Sequence, residues 1–198
     1  MGRKAVKKAR KEDHPKFESW RNKLAPEILR SGFKDLTMDV VAKKLSISKS
    51  TIYEYLASKE QIVAMVFEYK LSQLAQFEHH LFDENLNFKD RFTAALTVFS
   101  EHASQLSNVF LLELKTTQPQ LWDKIKLFIK ESLMKLGKFY QDGMEAQAFK
   151  KHPVKILLIT DQLFFEQVID PDFLESQKMT LQEVVDSYLK LKFEGLLR

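Results

Sequence analysis

Apolar residues recur at helical spacing along most of this chain, and few residues interrupt the pattern. Only five Gly and five Pro occur in 198 residues, whereas a β-sandwich or barrel needs turn residues roughly every 8–12 positions. Hydrophobic residues make up 44% of the chain and charged residues 29%, a composition that excludes a largely disordered or collagen-like protein. We therefore predict an all-α protein with a sizeable buried core.

Charge and aromatic residues divide the chain into two unlike parts. Residues 1–60 hold 15 Lys and Arg against 8 Asp and Glu, whereas residues 61–198 hold 16 against 19. Of the 16 Phe, only Phe17 and Phe33 precede residue 61. The basic front indicates an anionic partner, and the Phe-rich remainder indicates burial of apolar side chains.

The first 13 residues form a basic arm, which we expect to be flexible because like charges at this density repel each other. One interpretation is a solubilising tail. The other is an arm that lies on nucleic-acid phosphates or in a minor groove. The candidate contacts in the arm are Arg3, Lys4, Lys7 and Lys8.

Helix signals predict the organisation of the remaining chain. The first helix begins at about Pro15 and ends before Gly32, and Pro26 inside it is expected to bend it. Thr37 and Ser48 are predicted N-caps of two short helices joined through Ser46 and Ile47. The predicted helices after the first span residues 37–45, 49–56, 58–82, 88–105, 108–116, 119–145, 153–169 and 180–197.

Residues 37–56 form a predicted helix-turn-helix motif, followed by a long helix that begins at Ser58. We expect Gln61 to complete a capping box with Ser58. In such a motif the second helix enters the major groove, so its outer face needs small and polar residues.

Residues 49–56 divide in the required way, with Ile52 and Leu56 directed inward. Hydroxyl and phenol groups donate to phosphate oxygens, and Lys59 at the start of the next helix is placed to share a phosphate. Tyr53 and Tyr55 have an alternative role as packing residues in the small helical core. The predicted DNA contacts are Thr37, Lys49, Ser50, Thr51, Tyr53, Tyr55 and Lys59.

Residues 32–63 resemble the DNA-binding segment of TetR-type transcriptional regulators. The most specific part is Thr-Ile-Tyr-x-Tyr-Leu at residues 51–56, followed by Ser-Lys-Glu at residues 58–60. The turn departs from the family pattern, since Ser46 stands where the family usually has Gly. Ser46 must then adopt the backbone conformation that Gly would supply, at some cost if φ is positive.

The resemblance implies an all-helical homodimer that binds a double-stranded DNA operator. The DNA-binding domain would span residues 14–60, and a larger domain for ligand binding and dimerisation would span residues 61–198. The helices at 153–169 and 180–197 would form the dimer interface as a four-helix bundle. Repression is the commoner mode of action in this family.

Chemistry other than binding has no support in the sequence. There is no nucleophile motif, phosphate-binding loop or dinucleotide turn, so we expect no enzyme activity and no cofactor. His79 and His80 are adjacent on a predicted helix and diverge by about 100°, a poor arrangement for metal binding. We expect no metal site.

A ligand cavity between the Phe-rich helices is a more plausible site, because pockets form between the helices of bundles. The alternative is that these side chains form a solid core. The polar residue Asp161 lies within an apolar run, either facing solvent or as a buried acceptor at the dimer interface. The candidate ligand contacts are Phe99, His102, Phe110, Trp122, Phe128, Asp161 and Phe165.

These features favour a ligand-responsive regulator, a repressor that a small, largely apolar effector releases from its operator. One alternative is a DNA-binding regulator without a small-molecule ligand, and another is a helical carrier or adaptor for a lipid or protein. The chain contains no Cys and no apolar run of about 18 residues. We therefore expect a cytoplasmic protein with no membrane partner.

Overall fold

The fold is entirely helical over residues 15–197, which are the residues that the computed structural model describes. The basic arm, with Arg3, Lys4, Lys7 and Lys8, lies outside them. An isolated antiparallel bridge joins Phe149 to Leu197. The helices are α1 (Pro15–Ser31), α2 (Met38–Leu45), α3 (Lys49–Tyr53), α4 (Lys59–Leu74), α5 (Phe77–Leu81), α6 (Phe88–Ala103), α7 (Asn108–Thr117), α8 (Pro119–Glu145), α9 (Val154–Val168), α10 (Pro171–Gln177) and α11 (Leu181–Leu196).

The predicted helix-turn-helix is present in α2 and α3. Thr37 and Ser48 both have extended backbones, and their side chains accept hydrogen bonds from the backbone N–H groups of Val40 and Thr51. Ser46 ends α2 in the left-handed conformation, with φ of 56°. The expectation that Ser46 takes over the role of a glycine is therefore confirmed.

Two local predictions in this region are wrong. α3 ends at Tyr53 rather than at Leu56, although Leu56 is still buried. Ser58 is the N-cap of α4, but its side chain makes no capping hydrogen bond. The side chain of Gln61 instead accepts from the backbone N–H of Ala57 at 2.7 Å, so the reciprocal capping box does not form.

The single long helix predicted over residues 58–82 is interrupted. α4 ends at Leu74 and α5 begins at Phe77, and around this junction the N–H groups of Gln76, Glu78 and His79 bond to carbonyls three residues back. A 3₁₀ turn aligns residues three apart on one side. This tighter turn brings Leu74 and Phe77 into the core together, and both are buried.

α1 continues through Pro26, which is exposed on its outer surface. The neighbouring residues Leu24, Ala25, Ile28 and Leu29 are buried on the opposite face and hold both halves of the helix against one core. α10 was not predicted from the sequence. It is a short helix that begins at Pro171, where the Asp170 side chain accepts from the N–H of Asp172.

The larger part of the fold packs α8 closely against α9 and against the loop that follows α8. A Cβ atom at Gly143 would lie 2.2 Å from the Phe149 ring, so only glycine permits this approach. Phe149 is fully buried and contacts Phe139 and Phe193 edge to face. Most of the Phe-rich segment is therefore core, as one of the sequence alternatives proposed.

Candidate functional site

The outer surface of α3 is polar and accessible. Lys49 and Ser50 are exposed, and Tyr53 exposes 53% of its surface, while Thr51 is half-buried. Ile52 is completely buried beneath them. The helix therefore presents hydroxyl, phenol and ammonium groups on one side and is anchored by its apolar residues on the other.

Local contacts already hold several of these side chains. Lys49 forms a 2.8 Å ion pair with Asp39 on α2, and the hydrogen bond and charge of Asp39 raise the pKa of Lys49. The Ser48 hydroxyl is 2.7 Å from the Ser50 hydroxyl and 2.9 Å from that of Thr51. These contacts order the surface of α3 without covering it.

The other predicted DNA contacts lie at the edges of this surface. Thr37 is exposed, and Lys59 is half-buried with its ammonium group donating to the Lys34 carbonyl at 2.8 Å. The Tyr55 ring packs edge to face against Phe17 and Trp20 of α1. Tyr55 thus has the packing role that the sequence left open as its alternative.

The loop between α1 and α2 joins the DNA-reading helices to the rest of the fold. The Glu113 carboxylate on α7 accepts hydrogen bonds from the backbone N–H groups of Phe33 and Lys34. Gly32 has a φ of 79°, and a Cβ there would lie 2.7 Å from that carboxylate. Glu113 was not predicted from the sequence, because its partners lie about eighty positions earlier in the chain.

Two apolar cavities of about 70 Å³ each lie between the helices of the larger part. Both cavities are lined by the side chains of Phe99, Phe128, Ile129 and Phe165. Phe110 on α7 lines the second cavity. The structure thus brings together four of the seven predicted ligand contacts: Phe99, Phe110, Phe128 and Phe165.

The other three predicted ligand contacts do not line these cavities. Trp122 lines a separate, more polar groove between α8 and α9. The Nδ1 atom of His102 is buried with no hydrogen-bond partner among residues 15–197. Asp161 belongs to a closed network of side chains, so the structure gives it an internal role and not a ligand-binding one.

Asp161 is completely buried and has three partners. The hydroxyls of Tyr140 and Tyr188 donate to it at 3.0 and 2.9 Å, and the Lys192 ammonium group lies 2.6 Å away. Burial, together with the Asp161 charge, raises the pKa of both tyrosines, so both keep their protons and donate. This carboxylate is therefore neutralised and fully hydrogen-bonded inside the protein.

Lys70 on α4 is a second functional candidate that sequence analysis missed. It is only 2% exposed and is among the residues that line the second cavity. Its spacing from Val66, Phe67 and Leu74 places a lysine on the apolar stripe of a helix. That pattern was the available signal in the sequence.

An exposed apolar stripe runs along α9. Ile156, Ile159 and Leu163 expose between 42% and 63% of their surfaces, and Leu191 on α11 exposes 73%. Only Asp161 and Val168 of α9 are buried. A helix this apolar normally has cover on several sides, and within one chain α9 does not have it.

The part of the chain that the structure describes has neither a candidate metal site nor a candidate membrane-spanning helix. No group of three or more His, Asp or Glu side chains there has an arrangement that would hold a metal ion. None of the helices α1–α11 is both long enough and apolar enough to cross a membrane.

Comparisons with known proteins agree with this geometry. Residues 27–66 match the family model of bacterial regulatory proteins of the tetR family. The chain is 26% identical over 170 residues to the uncharacterised HTH-type transcriptional regulator YvaF of Bacillus subtilis, an alignment that covers 85% of this chain and 89% of that protein.

Two further similarities extend over nearly the whole chain. The fatty acid metabolism regulator protein of Bacillus subtilis is 23% identical over 194 residues, which cover 94% of this chain and 98% of that protein. A transcriptional regulator from Cytophaga hutchinsonii has the same fold, with a TM-score of 0.71 and 14% identity over 93% of this chain and 100% of that one.

The matched segment, residues 27–66, contains both helices of the helix-turn-helix and the start of α4. Over the remaining chain, the fold is similar to the larger helical domain of such regulators. Transcriptional regulators of the tetR family are non-enzymatic DNA-binding proteins. The chain is similar to transcriptional regulators of the tetR family: residues 27–66 match the family model, and similarity to such regulators extends over most of the chain.

Proposed function

We propose that this protein is a homodimeric repressor that a small, largely apolar effector releases from its operator. Residues 14–60 form the DNA-binding domain, and residues 61–198 bind the effector and dimerise. The observation that carries the proposal is the pair of apolar cavities, the second of which is lined by residues of α4 and α7.

The DNA contacts that we propose are those predicted from the sequence. The exposed face of α3, with Lys49, Ser50 and Tyr53, supports insertion into the major groove. Thr37 and Lys59 flank that face, where side chains contact phosphates and fix the register. Tyr55 would contribute mainly by holding α3 against α1.

The dimer that we propose forms through α9 and α11. The exposed stripe of Ile156, Ile159 and Leu163 supports it, because a second copy of the chain would bury this apolar surface. A two-fold dimer also presents two copies of α3 to successive turns of the duplex, about 34–36 Å apart or at a multiple of that distance.

The effector would act through α7. Phe110 lines the cavity and contacts Phe33 edge to face, and Glu113 on the same helix holds the loop before α2. A ligand that displaces Phe110 therefore disturbs the support of the DNA-binding domain. It shifts the population only if it binds the released state more tightly than the DNA-bound state.

The identity of the effector follows from the apolar cavity walls and from one relative. Because a relative of similar length is a fatty acid metabolism regulator, molecules with an acyl chain are the first effectors to test. The remaining alternative is a regulator without a small-molecule ligand. It requires that the cavities stay empty and that DNA binding respond to no apolar compound.

Selection of bound duplexes from a random pool, followed by a gel-shift assay on the selected site, tests the DNA claim. Lys49→Ala and Tyr53→Ala should each weaken binding about tenfold, and Lys59→Ala should weaken it on all sequences and lower the salt slope by about 1. Lys126→Ala is the matched control for Lys49, since Lys126 is also exposed and paired with a carboxylate.

Failure to select any duplex at moderate salt would overturn the proposed operator binding. A selected site without two half-sites would overturn the proposed dimer. An equal loss of affinity in Lys126→Ala and Lys49→Ala would remove the assignment of α3 as the recognition helix.

A further inference from the structure

Lys70 has a buried ammonium group without a counter-ion. Its Nζ atom donates to the side-chain oxygen of Gln105, in the turn after α6, at 2.8 Å, and it forms no ion pair with any carboxylate of residues 15–197. Glu101 contributes only at longer range, and it is exposed. Burial therefore dominates and lowers the pKa of Lys70 to about 8, which leaves the group mostly charged at neutral pH.

A second unsatisfied polar group lies near Lys70. The Nδ1 atom of His102 on α6, one turn before Gln105, is buried and has no hydrogen-bond partner within the described chain. Burial lowers the pKa of His102, and the positive charge of Lys70 lowers it further. Lys70 on α4 and His102 on α6 are therefore close enough for their charges to interact.

Lys70 also borders the second cavity. Its methylene groups form part of the wall, beside Phe67 and Leu74, and the rest of the lining is apolar. A buried charge is costly unless a charge of opposite sign lies next to it. Nothing within residues 15–197 supplies that charge, and Lys70 is the one ionisable side chain of these residues that lines either cavity.

We propose that the effector is an anionic amphiphile whose acidic head group binds Lys70 and whose apolar chain occupies the two cavities. The orientation follows from the walls, because Lys70 lines only the second cavity, whereas Phe99, Phe128 and Phe165 line both cavities. Rotation of these rings would join the cavities into one channel. This inference rests on the proposed ligand-responsive function and specifies its chemistry.

The test compares four decyl compounds that share one chain and differ in the head group: decanoate, decyl phosphate, decanol and decyltrimethylammonium. Binding to the full-length protein is measured by isothermal titration calorimetry, and release of the selected operator by gel shift. Decanoate or decyl phosphate should bind at least tenfold more tightly than decanol, and the cationic compound should bind most weakly. The two anions distinguish a carboxylate from a phosphate head group.

Lys70→Met removes the charge and keeps the length of the side chain. In this variant the anions should lose most of their advantage, while decanol should bind as it does to the wild type. Lys89→Met is the matched control, because Lys89 is exposed at the start of α6 and lines neither cavity. Thermal unfolding monitored by circular dichroism checks that both variants are folded.

The outcomes separate this inference from the proposed function. If decanol binds as tightly as the anions, or if Lys70→Met binds the anions as well as Lys89→Met does, the anionic head group is wrong but an apolar effector remains. If none of the four compounds binds or releases DNA, both this inference and the proposed response to an acyl-chain effector are overturned.

Discussion

Lys192 is half-buried and Lys70 is buried, and the surroundings of their ammonium groups differ. Lys192 on α11 lies 2.6 Å from the buried carboxylate of Asp161, which also accepts from two tyrosines. Lys70 on α4 has only the neutral oxygen of Gln105 as a partner. The first charge is neutralised within the fold, and the second is not.

This difference separates a structural network from a candidate binding group. A buried ion pair with satisfied hydrogen bonds fixes the relative positions of its helices, here α8, α9 and α11. A buried charge with no ion-pair partner destabilises the folded protein, and a ligand of opposite charge relieves that cost. The contrast predicts opposite effects on stability when each site loses one charge.

The largest effect is expected at the paired site. Asp161→Ala leaves the half-buried Lys192 ammonium group without a counter-ion and removes the acceptor of the Tyr140 and Tyr188 hydroxyls. The free energy of unfolding, measured by urea denaturation at neutral pH, should fall by about 3–5 kcal/mol. The double variant Asp161→Ala/Lys192→Met should recover part of the loss, because it removes the unpaired charge. A loss of less than about 1 kcal/mol in Asp161→Ala would contradict this account.

A smaller effect of opposite sign is expected at the unpaired site. Lys70→Met replaces a buried charge with an apolar side chain of similar length, so the free energy of unfolding without ligand should rise by about 1–2 kcal/mol. Lys89→Met should change it by no more than about 0.5 kcal/mol, as for most exposed positions. A clear loss of stability in Lys70→Met would mean that the contact with Gln105 outweighs the cost of burial.

The smallest effect is the pH dependence of the stability that Lys70→Met gains over the wild type. Below the folded pKa of about 8, Lys70 is protonated in both the folded and the unfolded chain. The folded protein then bears the full free-energy cost of burying the charge. Between the folded pKa of about 8 and the ordinary value of 10.5, the unfolded chain binds more protons, and this group makes stability rise with pH. The advantage of Lys70→Met over the wild type should therefore shrink from about pH 7 to about pH 10. Urea denaturation of both proteins across this range measures it, and a constant difference would contradict the lowered pKa.

Much of the fold was predictable from local signals. Thr37 and Ser48 cap their helices as expected, and Gly32 and Ser46 both adopt positive φ values where helices end. Such contacts span a few residues, so the sequence carries them almost completely. The interruption between α4 and α5 was missed because it depends on burying Leu74 and Phe77 together, which periodicity does not encode.

The candidate sites divide in the same way. The polar face of α3 follows from helical spacing alone, and its exposure agrees with that reading. The contacts of Glu113 with the loop after Gly32 join residues about eighty positions apart. Asp161 was a candidate ligand contact from its sequence neighbours, but its partners lie 21 to 31 positions away.

The sequence by itself determined that the chain is helical, where the helix-turn-helix lies and which side of α3 is polar, because caps and periodicity act within a few residues. Only the tertiary structure decided which charged groups are buried and which of them have partners. Burial and pairing depend on side chains that meet across separate helices, such as Lys70 with Gln105 and Lys192 with Asp161. No local sequence pattern determines these contacts. They distinguish Lys192, whose charge Asp161 neutralises, from Lys70, whose charge a bound anion would neutralise.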